Sequence, residues 1–227
     1  MAKNYRAELV GVFGDPVEGN PTGVMEEAGF SALNLNFRYL TIKVTPEDFD
    51  AAIRSLKPLH FRGINLTMPH KIAVLPYLDA LSPAAAIIGA VNTVVVQGDK
   101  LYGDNTDGRG FVEALRREGL SPAGKTITLL GAGGAAKAIA VECALAGAKR
   151  ITVVNRSQAH GEALVETLRS HTDTQADYLP WSHLLPVPQA TDILINATPV
   201  GMRPREREAP DLDYTTVKPG ILAADVA

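Results

Sequence analysis

Short apolar runs closed by glycine, proline or asparagine alternate along this chain with stretches whose apolar residues recur every three or four positions. Leu9 to Phe13 (LVGVF) reads as a buried strand ended by Gly14-Asp15-Pro16. Asn20-Pro21-Thr22-Gly23 then opens a helix with Val24, Ala28 and Ala32 on one face, capped by Asn20 or Thr22. Tyr39 to Val44 alternates, which places Leu40, Ile42 and Val44 on one side of a strand. Thr45-Pro46-Glu47-Asp48 starts a helix that carries Phe49, Ile53 and Leu56 at helical spacing, and Arg62 to Leu66 is a third strand. This βαβαβ order predicts right-handed crossovers and a mostly parallel sheet. After a helical stretch broken by Pro76, Val91 to Val96 and Leu101 to Gly103 read as a hairpin around Gly98-Asp99. The next helix carries Phe111 and Leu115, with Gly119 as its C-cap, and Ser121-Pro122-Ala123-Gly124 reads as a junction.

The second half repeats the alternation with a sharper turn. Thr126 to Ala136, TITLLGAGGAA, runs from strand into a glycine turn and then into an alanine-rich helix. Gly131 allows the tight turn, Gly133 lets a pyrophosphate approach the backbone, and Ala136 is small enough for close helix–strand packing. A helix N-terminus with unpaired N–H groups and a positive dipole end attracts such an anion. Strands at Arg150 to Val154, Asp192 to Asn196 and Ile221 to Val226 follow, with a helix from Ser157 to about Leu168. Thr198 to Lys218, which includes Arg203, Arg205, Glu206, Arg207 and Glu208, reads as a solvated loop. The fold class expected is α/β in two domains. Residues 1–106 form an N-terminal, mostly parallel-sheet substrate domain, and residues 107–227 a C-terminal Rossmann dinucleotide-binding domain.

Composition narrows the partners. With 46% hydrophobic residues, 21% charged residues and a net charge of −3, the chain has no basic surplus for nucleic acid. The one cysteine, Cys143, cannot form an internal disulfide and reads as buried filler in its alanine-rich helix. Lys3, Arg6, Glu8, Asp15 and Glu18 deny the N-terminus the apolar core of a signal peptide, and no run is long enough to span a membrane. A cytoplasmic protein, monomer or homodimer, is expected. The five histidines form no ligand pair and are assigned to the surface, so no metal site is expected.

Two clusters carry chemistry. Asn155-Arg156-Ser157 ends the second strand of the nucleotide unit, where the ribose is read. A carboxylate there would repel a 2′-phosphate, whereas Arg156 and Ser157 offer donors to one, so the cofactor expected is NADP rather than NAD. Arg156 as an ordinary solvated arginine remains the alternative. Asn65 to Lys71 (NLTMPHK) lies just beyond a strand end, and Lys71 is the candidate general acid or base, with Asp107 as the carboxylate that could poise it. Equally, Lys71 could be an exposed lysine at a helix start and Asp107 a helix N-cap.

Taken together, NLTMPHK, GAVNT (89–93), NTDG (105–108), GAGGAA (131–136), NRS and NATPVGM (196–202) resemble the shikimate dehydrogenase family over almost the whole chain. The resemblance implies reversible, NADPH-dependent reduction of 3-dehydroshikimate in aromatic amino acid biosynthesis. It implies Lys71 and Asp107 as the catalytic pair, and Thr67 and Asn92 as binders of the substrate's ring hydroxyls. It assigns the cofactor to Gly131, Ala132, Gly133, Gly134, Ala135, Asn155, Arg156, Ser157, Thr198 and Val226. Asn20 and Thr22 stand where the family has a Ser-x-Ser pair for the substrate carboxylate. Asp104 stands where an uncharged group is usual, and His160 where a second arginine is usual. Quinate or aminoshikimate dehydrogenase, or a catalytically weak NADP-binding relative, are the alternatives. The family continues into a returning helix, absent here beyond Ala227, so a fragment or truncated product is expected.

Overall fold

A computed structural model describes residues 5–204 and 206–226; Lys3, Arg205 and Ala227, named above, lie outside them. The chain divides into two compact units, one ending at Thr106 and the other starting at Asp107.

In the first unit, β1 (Glu8–Gly14), α1 (Thr22–Ala32), β2 (Phe37–Lys43), α2 (Phe49–Ser55) and β3 (Gly63–Leu66) form the expected crossovers, with β1 parallel to both β2 and β3. A short helix α3 (His70–Ala73) leaves β3, and the chain then makes β4 (Ala80–Leu81), α4 (Pro83–Ile88) and the hairpin of β5 (Thr93–Gln97) and β6 (Lys100–Asp104). The six strands lie in the order β2-β1-β3-β5-β6-β4. The β3-β5 and β5-β6 pairings are antiparallel and the other three of the five are parallel, so the sheet is mostly parallel, as expected. Phe13, Phe49, Ile53, Leu56, Leu66, Val74, Val91 and Val94 form its core.

Four expectations change here. Val24 is 80% exposed, and Ala28 and Ala32 are exposed with it, so the apolar face read into α1 points to solvent. The helix begins after Pro21 with no side-chain cap; Asn20 Oδ1 instead accepts the Thr22 N–H at 2.9 Å. Leu40 is 38% exposed while its neighbour Tyr39 is buried, because β2 is an edge strand and hides its other face. His70 is only 1% exposed rather than on the surface. Its Nε2 lies 2.7 Å from the Val44 carbonyl and its ring stacks on Phe49, which satisfies the imidazole inside the core.

The second unit opens with α5 (Asp107–Arg117), then β7 (Thr126–Leu130), α6 (Gly134–Leu145), β8 (Arg150–Asn155), α7 (Gln158–His171) and β9 (Gln175–Pro180). A short β10 (Leu185–Pro186) precedes β11 (Ile193–Asn196), β12 (Leu212–Asp213) and β13 (Leu222–Asp225). Five strands form a parallel sheet in the order β13-β11-β7-β8-β9. The chain's division falls before α5, not at Ser121-Gly124, because α5 packs on α6. Gly108 permits that approach: a Cβ there would stand 2.1 Å from the Ala138 carbonyl oxygen. Among the described residues no helix is long and apolar enough to cross a membrane.

Candidate active site

All five strands of the second sheet run the same way, so their carboxyl ends form one edge, where open α/β sheets bind ligands. Leu130, the last residue of β7, leads there into the glycine turn. Gly131 has φ +105°, and a Cβ on it would lie 2.9 Å from the Ala197 carbonyl oxygen, so only glycine serves at this crossing. A Cβ on Gly133 or Gly134 would meet no protein atom within 4 Å. Gly133 is the N-cap of α6, and no side chain caps that helix, which leaves its first N–H groups directed at whatever fills the space. Ala136 is fully buried, in keeping with close packing of α6 on the sheet.

A cavity of about 730 Å³ opens at this turn. Gly131, Ala132, Gly133, Gly134, Ala135, Asn155, Arg156, Thr198 and Val226 all line it. Ser157 does not; its hydroxyl caps α7 by accepting the His160 N–H at 3.4 Å. The chemistry of this wall fits a dinucleotide phosphate: uncapped helical N–H groups at the turn, and a neutral asparagine followed by an arginine at the ribose end. The loop from Thr198 is braced by Asn196. That carboxamide accepts the Thr198 N–H and hydroxyl at 3.1 and 2.7 Å and donates to Val200 O and Asp225 Oδ2, each at 3.0 Å. Further along, the stretch read as a solvated loop supplies Met202, Glu208, Ala209 and Asp211 to the cavity wall, and buried Leu212 anchors it in the core. Trp181, Ser182 and His183 also line the cavity. Their signal in the sequence is position alone, directly after the end of a parallel strand.

The first unit gathers its candidates along one sheet edge as well. Register places Lys43 beside Gly14, Leu66 beside Phe13, and Thr93 beside both Asn65 and Asp104. Thr67 follows β3 and is half-buried, with its N–H donating to Phe13 O at 3.0 Å. Lys71 is half-buried in α3, and its carbonyl accepts the Val91 N–H at 2.8 Å. Asn92 is buried; its Oδ1 accepts the Thr106 N–H and the Thr93 hydroxyl at 3.0 Å each, which fixes the orientation of the carboxamide. Asp104 accepts the Ser82 hydroxyl at 2.5 Å and the Asn105 N–H at 2.8 Å, so its charge is held against the start of α4. Asn20 and Thr22 stand half-buried after β1. Lys71 therefore belongs to the first unit and Asp107, at the start of α5, to the second.

Cys143 is fully buried, and burial, with Glu142 nearby, pushes its thiol up to about 12, which makes it inert filler. Among the described residues no group of three or more His, Cys, Asp or Glu side chains is arranged to hold a metal ion.

The second sheet, its glycine turn and its arginine-bearing ribose end define a Rossmann-type dinucleotide-binding unit, joined in one chain to a second α/β unit. Residues 12–94 match the family described as "Shikimate dehydrogenase substrate binding domain", and residues 114–202 match "Shikimate / quinate 5-dehydrogenase". A shikimate dehydrogenase (NADP(+)) of Desulforamulus reducens is 41% identical over 226 residues, covering 98% of this chain and 78% of the relative. The ligand-free 5-ketofructose reductase of Gluconobacter sp. strain CHM43 superposes with a TM-score of 0.94 at 41% identity, over 98% of this chain and 79% of that one. The shikimate 5-dehydrogenase of Listeria monocytogenes, solved with shikimate and NAD, gives a TM-score of 0.91 at 34% identity, over 97% and 78%. This chain belongs to the shikimate dehydrogenase family.

Proposed function

We propose that this protein is an NADP-dependent shikimate dehydrogenase that reversibly reduces 3-dehydroshikimate to shikimate. The observation that carries the reading is where the two family matches fall. Residues 12–94 include Asn20, Thr22, Thr67, Lys71 and Asn92, and residues 114–202 include the glycine turn, Asn155-Arg156-Ser157 and Thr198. Asp107 and Val226 lie outside both.

The glycine turn and Arg156 would hold the cofactor, which when bound would supply the hydride in reduction and accept it in oxidation. Lys71 gives a proton to the substrate's carbonyl oxygen in reduction and takes it from the hydroxyl in oxidation, while Asp107 orients it. Thr67 and the fixed carboxamide of Asn92 hold the ring hydroxyls, which keeps the carbonyl aligned for transfer. The N–H groups at the start of α6 hold the pyrophosphate, and Arg156 the 2′-phosphate. Loss of NADPH absorbance on adding 3-dehydroshikimate tests the activity. Lys71→Ala is expected to lower kcat by about 10²–10⁴-fold, the usual worth of a positioned acid–base group, with the KM for NADPH little changed. A Lys71→Ala protein as active as the parent would sink the mechanism.

A second reading is favoured by the loop that leads to Asn20. Its charged groups are Asp15, already paired with Lys43 at 3.3 Å, and Glu18. The backbone N–H groups of Glu18 itself and of Val17 hold the Glu18 carboxyl below its ordinary value, so it stays ionised. Asn20 spends its Oδ1 on Thr22. This lip offers neutral donors and a net negative charge, which suits an uncharged polyhydroxy ketone better than a carboxylate. The similar Gluconobacter protein is named a 5-ketofructose reductase, and 5-ketofructose is such a ketone. Steady-state kcat/KM for 3-dehydroshikimate, quinate and 5-ketofructose separates the readings; a higher value for the ketose would replace shikimate as the substrate.

A further inference from the structure

We infer that the indole of Trp181 is the platform on which the purine ring of the nucleotide stacks, an inference that rests on the NADP reading above. The sheet order carries the first step. With the pyrophosphate at the turn after β7 and the 2′-phosphate at Arg156 after β8, the adenosine half extends outward along the edge, and the next strand out is β9. Trp181 is the residue that follows β9. The opposite direction leads to β11 and β13, where Thr198, Val200, Met202 and Val226 line the other end of the cavity.

The setting of the ring carries the second step. The Trp181 backbone N–H donates to the Asn155 carbonyl at 3.2 Å, which ties it to the ribose-reading residue. Its Nε1 donates to the Asp211 carbonyl at 3.1 Å, and the half-buried side chain packs against the cluster of Leu130, Val154, Leu185 and Leu212. The polar edge of the indole is thus satisfied within the protein, and the ring is held in place before any ligand arrives. What it contributes to the cavity is apolar aromatic surface, which suits the face of a purine and asks no hydrogen bond of it. Beside it, exposed His183 is paired with Asp211 at 2.7 Å and forms the rim of the same wall.

Trp181 is the one tryptophan of the chain, so its fluorescence reports this site without background. Titration with 2′,5′-ADP is expected to quench the emission saturably, and titration with nicotinamide mononucleotide to leave it unchanged. Trp181→Ala is expected to raise the KM for NADPH about tenfold with kcat within about twofold, a loss in the range of one base–aromatic stack. Trp181→Phe, which keeps an aromatic face and covers the same core cluster, is expected to restore most of that loss. Because Trp181→Ala could disturb packing, its thermal midpoint is measured beside the kinetics, and Trp181→Phe supplies a folded variant. Calorimetric binding of 2′,5′-ADP without quenching, or an unchanged KM in a folded Trp181→Ala protein, would overturn the platform and leave the NADP reading standing. Failure of 2′,5′-ADP to bind the parent protein would overturn both.

Discussion

The Asn155 carbonyl accepts the Tyr178 hydroxyl at 2.9 Å and the Trp181 N–H at 3.2 Å, while its carboxamide nitrogen donates to the Ser157 carbonyl at 2.9 Å. Three hydrogen bonds thus fix the backbone that presents Arg156 to the cavity. An arginine–phosphate contact of this kind contributes about 1.5–3 kcal/mol. Arg156→Ala should therefore raise the KM for NADPH by about 10–100-fold and leave that for NADH nearly unchanged, because NADH has no 2′-phosphate. Equal losses with both cofactors, read in parallel kinetics, would place Arg156 in a structural role. Two buried groups make stability fall at alkaline pH. Burial holds Cys143 protonated to about 12 in the folded chain against 9.0 ordinarily, and burial with Glu26 nearby likewise moves Tyr39 from 10.0 to about 12. Above pH 9 the unfolded chain releases protons that the folded chain keeps, so stability is complete below that value and falls as pH rises towards 12. From pH 9 to 10.5 the thiol's share is at most about 2 kcal/mol. Urea midpoints should decline over this range, and Cys143→Ala should decline less steeply.

At the scale of elements, α5 is held by the absence of one side chain. The backbone of α6 fills the space a Gly108 Cβ would need, so Gly108→Ala must push the helices apart, at about 1–3 kcal/mol. The denaturant midpoint should fall accordingly. The sequence makes such an element readable when its burial follows its own periodicity. Phe49, Ile53 and Leu56 are buried as their spacing implies, and β7, glycine turn and α6 follow from TITLLGAGGAA. Val24, Ala28 and Ala32 show the same periodicity and point outward, since periodicity marks a face without saying which neighbour covers it. His70 was illegible for a related reason: the Val44 carbonyl and Phe49 ring that satisfy it lie far back along the chain. The wall of the large cavity was legible at the glycine turn and at Asn155-Arg156, which local residue type singles out. Trp181 and Asp211 reach the same cavity through strand order, which no local pattern states.

At the scale of the whole molecule, two units with separate cores permit the ligands to be told apart by where they stabilise the chain. A ligand stabilises the unit whose folded form binds it, by about 2.7 kcal/mol at a hundredfold excess over Kd. With NADP bound through the turn after β7 and the ends of β8 and β11, slowed amide exchange should concentrate at residues 131–135, 155–157, 181–183 and 198–202. The strands β1, β2 and β3 should exchange as in the free protein. Shikimate added alone should instead slow exchange at residues 20–22, 65–71 and 91–93, which lie along the edge of the first sheet. Protection depends on local opening, so the two patterns report binding even where the overall unfolding transition is shared. Exchange slowed by NADP in β1 to β3 as strongly as around the glycine turn would contradict the assignment of cofactor to the second unit and substrate to the first.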